Sequence, residues 1–193
     1  YLFGYQAGES ITTGSNLIAI GWQALQSATS TSDNIAIGKE AGLNVTSGNA
    51  NVFIGPWGAG NSNTTGSRNV FIGHLAGYNN STGGENTYIG YGVAQDSGSG
   101  SNNSFFGSYA GYNLTTSNSV LFGGSAGFNG NPNYTADNLT LVGYAAGADL
   151  QTGANNNILI GYNAANSLTT GANNLIIGHD VEAPSNTASN QLN

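Results

Sequence analysis

The side chains able to do chemistry are few, and their spacing sets them apart. His74 and His179 are the only histidines, and each directly follows a Gly that ends a short apolar run. They lie six repeat units apart, roughly 30 Å on a straight rod. One chain therefore cannot bring them to a shared metal, and no metal site is expected. The acids are Glu9, Asp33, Glu40, Glu85, Asp96, Asp137, Asp149, Asp180 and Glu182. Only Asp180 and Glu182 fall close together, beyond the last clear strand. Glycoside hydrolysis needs two carboxylates facing each other across a cleft, which a convex rod does not supply. No Cys is present, no nucleophile has a base nearby in sequence, and there is no phosphate loop. The GGxGxD motif of calcium-binding solenoids is also absent. The chain is expected to be no enzyme and to carry no cofactor. The position after the Gly also holds Tyr5, Trp22, Tyr91, Tyr144 and Tyr162. An aromatic column on one edge could stack against sugar rings or simply cap the coil edge.

What must position these residues is a repeat. Gly4, Gly21, Gly38, Gly55, Gly73, Gly90, Gly107, Gly123, Gly143, Gly161 and Gly178 follow one another at intervals of 16 to 20 residues, six of the ten being 17. The unit reads N-[VI]-x-I-G-x-x-A-G-x-x-x-T-x-G-x-N, with clear copies at Asn34–Gly38, Asn51–Gly55, Asn69–Gly73 and Asn174–Gly178. Seventeen residues are too few for a helical hairpin repeat. β-Branched and aromatic runs bounded by Gly and Asn are the signature of strands. Each unit is therefore expected to form one coil of an all-β solenoid, a parallel β-roll or β-helix: a strand, a turn at the Gly, a weaker strand and a second turn. Eleven coils stacked at about 4.8 Å make a rod of roughly 50 Å. The solenoid is expected over residues 1–178, with 179–193 a transition segment to a following module. Asn129–Asn133, in the longest interval, reads as a bulged loop.

Within the strand, the residue before the Gly is assigned to the interior of the coil: Ile20, Ile37, Ile54, Ile72, Ile89, Phe106, Phe122, Val142, Ile160 and Ile177. The residue before that is apolar too, and successive strand residues point to opposite faces. Phe53, Phe71, Tyr88, Phe105, Leu121, Leu141, Leu159 and Ile176 are accordingly assigned to an outer face that needs a cover. Three chains around one axis supply that cover most simply; a dimer or lateral stack would also serve. The Ala three residues after the Gly marks a tight corner, and the Gly that often follows it is expected at positive φ.

Composition narrows the function classes. Lys39 and Arg68 are the only strong bases, and the formal charge is −7. Binding a duplex requires several cations to displace condensed counterions, so nucleic acid is excluded. Docking on anionic lipid is disfavoured for the same reason, and no apolar run approaches the roughly 20 residues of a membrane span. Charged residues make up 6% of the chain, which the repeat explains. A charge repeated in every coil would become a column of like charges.

Gly4-Tyr5-Gln6-Ala7-Gly8 and Gly21-Trp22-Gln23-Ala24-Leu25, joined by Thr-Thr-Gly turns to Ile-Gly strands, resemble the "AIGYQAL…NTTG" repeats of phage tail fibres and bacterial surface fibres. The closing Ser185–Asn193 is similar to the join that follows such repeats. In that family an endosialidase-type intramolecular chaperone domain, which trimerises and releases itself, often comes next. The resemblance spans roughly residues 1–178 and implies a homotrimeric extracellular fibre engaged in attachment to a host or surface. A more distant likeness is to the head repeats of trimeric autotransporter adhesins, with an intertwined triple-stranded β-helix as the structural rival. An adhesin gripping cell-surface glycan along its rod is the alternative function. Ice binding ranks lower, because Thr does not recur in a strict outward column.

Overall fold

The computed structural model describes residues 1–130 and 133–193. Among them there is no helix. The chain forms β1 (Leu2–Phe3), β2 (Ile18–Ile20), β3 (Ile35–Lys39), β4 (Val52–Trp57), β5 (Val70–Ile72), β6 (Thr87–Ile89), β7 (Ser104–Phe106), β8 (Leu114–Thr115), β9 (Val120–Phe122), β10 (Tyr134–Thr135), β11 (Thr140–Val142), β12 (Ile158–Ile160) and β13 (Leu175–Ile177). Eleven of these make one parallel sheet in chain order, from β1 to β7 and then through β9, β11, β12 and β13. Equivalent residues pair directly, as in Phe53↔Phe71, Phe71↔Tyr88 and Tyr88↔Phe105. This is the expected β-solenoid, one coil per repeat.

The far side of each coil differs from expectation. Among the described residues a second strand exists only where β8 pairs with β10. Elsewhere the return path is a run of tight turns. In the first coil the N–H of Ala7 donates to the Gly4 carbonyl, Glu9 to Gln6, and Ile11 to Gly8. Gln6 (φ +55°) and Gly8 (φ +64°) stand third in the first two turns, the position that must be left-handed in a type II turn. Alternate amides reach the next coil instead, Gly8 N–H to the Ala24 carbonyl and Ser10 N–H to Gln26. The backbone is thus satisfied without extended geometry. The paired Gly residues do take positive φ, as expected: Gly42 +60°, Gly77 +58°, Gly111 +60° and Gly147 +64°.

The Gly that ends each strand has a different reason. A Cβ on Gly90 (φ +146°) would lie 2.5 Å from the Gly107 carbonyl oxygen. Backbone sits on backbone at this corner, which leaves no room for a side chain.

The two faces of the sheet are the reverse of the sequence assignment. Ala19, Ala36, Phe53, Phe71, Tyr88, Phe105, Leu121, Leu141, Leu159 and Ile176 are fully buried inside the coils. Phe53, Phe71, Tyr88, Phe105, Leu121, Leu141, Leu159 and Ile176 are therefore core and not an oligomer face. The outward column is Ile20, Ile37, Ile54, Ile72, Ile89, Phe106, Phe122, Val142, Ile160 and Ile177, whose members are half-buried or exposed, with Phe122 at 59% and Ile177 at 54%. The cause is the residue before the strand, an Asn in seven of the eleven coils. It points inward, and the strand period of two then turns every second residue inward with it.

That Asn builds the spine of the fold. The Oδ1 of Asn34 accepts from Asn51 N–H at 2.8 Å, and the same bond continues from Asn51 to Asn69, Asn69 to Asn86, Asn86 to Asn103 and Asn103 to Ser119. Each Nδ2 donates to a turn carbonyl, as Asn51 does to Gly66 and Asn86 to Gly100. Leu139 interrupts the ladder, which resumes at Asn157 and Asn174. The residue before it is left-handed in coil after coil (Asn16, Asp33, Arg68, Glu85, Asn102, Asn118, Asn138), which suits the Asn and Asp common there.

Alongside this ladder the core packs as a continuous stack. The rings of Phe53, Phe71, Tyr88 and Phe105 follow one another at 5.4, 4.8 and 5.0 Å. Where Ala19 and Ala36 replace a ring, Leu25 turns inward and is fully buried, so small and large residues compensate across neighbouring coils.

Residues 179–193 do not leave the stack. Leu192 pairs in parallel with Leu175, Gln191 N–H donates to Asn174 Oδ1, and Ala165 N–H donates to the Val181 carbonyl. Gln191 takes the place of the ladder Asn, so this segment packs as a further turn of the solenoid. Of the expected loop Asn129–Asn133, Asn131 and Pro132 lie outside the described residues. Asn129 itself is buried and bonds to the Leu150 carbonyl.

Candidate functional site

Two surface features could meet a partner, and both are columns made by the repeat. The first is the outward side of the eleven-stranded sheet. Each strand presents two residues there, such as Ile35 and Ile37, Val52 and Ile54, or Val70 and Ile72. Strand residues two apart are separated by about 6.8 Å. Two such columns over eleven strands give a strip roughly 50 Å long and about 10 Å wide, on the order of 500 Å². Thr87, Ser104 and Thr140 interrupt the first column, so the continuous apolar part is the second column, roughly half of that area and within the range of ordinary monomer surfaces.

The second is the edge column after the strand-ending Gly. The structure places Tyr5, Trp22, Tyr91, Tyr144 and Tyr162 in it, all exposed, together with His74 and His179 as the sequence indicates, and adds Lys39 and Trp57. His74 stacks on Tyr91 at 4.9 Å with the planes 4° apart, and its other neighbour is Trp57 at 5.6 Å. Tyr144 stacks on Tyr162 at 5.6 Å and Tyr162 on His179 at 5.0 Å. In these two groups the ring faces look along the rod and cover one another. Stacking at the coil repeat turns ring edges to solvent there and leaves no face for a sugar between the stacked rings. Of the two readings of this column, sugar stacking or capping of the coil edge, the stacked pairs favour capping where they occur.

Trp22 and Trp57 are closed in a different way. The ammonium of Lys39 lies between them, 4.9 Å from the Trp22 ring and 5.7 Å from Trp57. Glu40 holds this group in place, accepting from Trp57 Nε1 at 2.7 Å and lying 3.6 Å from Lys39 Nζ. Spacing alone missed Trp57, because Pro56 displaces it by one residue within an 18-residue interval. The pairing of β3 with β4 jumps register at that point, from Ile37↔Ile54 to Lys39↔Trp57.

The column is broken at Ser108 and Gly124, which carry no ring. Tyr109, one residue along, lies over Gly92 and meets Tyr91 edge-on at 5.2 Å. Its hydroxyl is shifted to higher pKa, first by desolvation and then by the Tyr91 hydroxyl. Beyond the break the Tyr144 ring stands over Gly124, where an added Cβ would meet Cδ2 at 3.4 Å.

The histidines stay far apart, as expected. His179 Nδ1 lies 3.0 Å from Asp180 Oδ2. Asp180 also accepts from Asn163 at 3.0 Å, and Glu182 binds the Ser167 hydroxyl at 2.7 Å. Among the described residues, no three His, Cys, Asp or Glu side chains group as metal ligands, and no helix is long and apolar enough to cross a membrane.

Fold and surface together define a β-solenoid repeat protein. No family model, no curated protein and no solved structure matches the chain.

Proposed function

We propose that this chain is a shaft or head segment of an extracellular fibre that attaches to a host or surface, and that it works as a homotrimer with the outward sheet strips turned toward a common axis. The observation that carries this reading is the outward strip itself. A solvated solenoid face is served by Thr, Ser or Asn, yet here the residue before each strand-ending Gly is apolar in all eleven coils. The whole strip, on the order of 500 Å² per chain and part polar, is smaller than the roughly 800 Å² that each partner contributes to a standard stable interface, so the trimer rests on a narrow contact repeated around the axis. The parallel stack also suits a load-bearing part, because every coil is bonded to both neighbours along the axis. Three copies is the number implied by the resemblance to trimeric fibres, and an extracellular setting and the absence of an enzymatic role follow from the same reading.

Light scattering on the purified chain tests it. The expected mass is about three times 19.5 kDa, persisting in mild denaturant. Ile72→Asp with Ile89→Asp, both on the outward face, is expected to give folded monomers with an unchanged circular dichroism spectrum. A stable soluble wild-type monomer overturns the proposal.

A further inference from the structure

The aromatic edge column is closed to ligands wherever its rings stack on one another, so the place to look is where it stops. Tyr91 ends one run of rings and Tyr144 begins the next. Between them lie two coils whose column positions hold only Ser108 and Gly124. Three strand spacings separate the two rings, about 14 Å. On its far side Tyr144 is covered by Tyr162; on the near side stands a glycine. Tyr144 is 55% exposed and Tyr91 49%. The slot thus has an aromatic ring face at one end, the Tyr91–Tyr109 pair at the other, and a hydroxyl-bearing floor at the exposed Ser108.

We infer that this break in the ladder is a carbohydrate-binding slot that takes an uncharged pyranose residue of a glycan, its apolar C–H face laid on Tyr144 and its hydroxyls met by Ser108 and the tyrosine hydroxyls. Three points select that ligand class. An amphipathic ring with one apolar face matches a site with a single open aromatic face and several neutral hydroxyls. The gap exceeds the thickness of one ring, so a residue within an oligosaccharide enters without displacing a rung. Charge excludes the acidic sugars: Lys39 is held between Trp22 and Trp57, Arg68 is bound to Glu85 at 2.6 Å, and the chain carries −7. No free cation is left to pair with a sialate or uronate.

The slot makes no use of the outward strip and stands or falls separately from the oligomer. Its test is calorimetric titration of the intact chain with neutral hexasaccharides of glucose, galactose, mannose and N-acetylglucosamine, and with a sialylated trisaccharide. At least one neutral glycan is expected to bind with a dissociation constant of about 1 mM or tighter, and the sialylated probe at least tenfold more weakly. Tyr144→Ala is expected to lower affinity at least tenfold. The sharper variant is Gly124→Tyr. Gly124 does not lie at positive φ, and an added Cβ meets only ordinary contacts, so a tyrosine there completes the ladder. That protein is expected to match the wild type in thermal stability and native mass while losing binding at least tenfold. Absence of binding to every neutral glycan, or undiminished binding by Gly124→Tyr, overturns the inference. A fall in native mass for Gly124→Tyr with no glycan bound by the wild type assigns the slot to a second copy of the chain and overturns it as well.

Discussion

Replacing Asn86 tests whether the buried ladder holds the coils together. Its Oδ1 accepts from Asn103 N–H at 3.0 Å and its Nδ2 donates to the Gly100 carbonyl at 2.8 Å, with the side chain fully buried. Asn86→Ala strands a donor, the Asn103 N–H, and an acceptor, the Gly100 carbonyl, both in the next coil. Each stranded buried group costs about 1–3 kcal/mol, so the expected loss is roughly 2–6 kcal/mol before the void is counted. Asn86→Asp separates polarity from shape. The carboxylate still accepts from Asn103, but its second oxygen faces the Gly100 carbonyl and repels it unless protonated. The folded state therefore favours the acid form, and its pKa is expected above the unfolded value of about 3.9. Above that pH the unfolded chain binds fewer protons than the folded one, so stability falls as pH rises. Asn86→Asp should be close to wild type below about pH 4 and strongly destabilised at pH 7. Urea unfolding followed by far-UV circular dichroism at both pH values measures this. An Asn86→Ala protein within about 0.5 kcal/mol of wild type, or an Asn86→Asp protein equally stable at pH 4 and pH 7, refutes the reasoning.

Two further outcomes follow from packing. Gly90→Ala forces a Cβ to 2.5 Å from the Gly107 carbonyl at φ +146° and should cost about 3 kcal/mol or more, whereas Gly124→Ala, free of both constraints, should be nearly neutral in the same thermal melt. The Tyr88 hydroxyl, buried in the aromatic stack, is pushed up to about 12 by desolvation. The unfolded tyrosine ionises near pH 10, so stability should fall by about 2–3 kcal/mol as pH rises from 10 to 12; Tyr88→Phe should remove that part of the slope, leaving the contribution of Tyr134, which burial also raises, and an unchanged slope in denaturant titrations across this range contradicts the assignment.

The architecture was legible in the sequence because its period is carried by residues with one steric solution each. Gly is needed where Gly90 lies against Gly107, and Ala at the tight corner where Ala76 and Ala110 are fully buried. The facing of the strand was not legible. Both Ile37 and Ala36, or Ile72 and Phe71, are apolar, so alternation gives no direction. An Asn read as a solvated residue places Ile37 inside; the Asn is buried instead and fixes the opposite parity. A signal was present in size. The inward column runs from Ala19 to Tyr88 and must be compensated by Leu25 and its neighbours, while seven of the ten outward residues from Ile20 to Ile177 are Ile. The missing second strand is legible in retrospect as well, since Gln6 with Gly8 and Glu40 with Gly42 place two left-handed residues in each corner, which no extended strand accepts.

The same stacking rule decides where a solenoid of this kind can be specific. In-register coils turn each sequence position into a column, and a column of identical groups satisfies itself: Asn bonds Asn, ring covers ring, Asn16 bonds Asp33, and Arg68 bonds Glu85. Such a surface offers little that is unspent to a ligand. Specific chemistry is left to the interruptions, where one coil fails to continue what its neighbours do. Three stand out. Pro56 shifts Trp57 and creates a cation clamp that is already filled by Lys39. Leu139 breaks the Asn ladder within the interval of 20 residues between Gly123 and Gly143. Ser108 and Gly124 break the aromatic ladder beside it. Only the last leaves an aromatic face open to solvent, and it adjoins the one stretch where the far side of the rod forms true strands, β8 and β10. A fibre built from uniform repeats gains a recognition point by omitting two rungs, and the variant that restores one of them, Gly124→Tyr, separates the shaft's mechanics from its recognition.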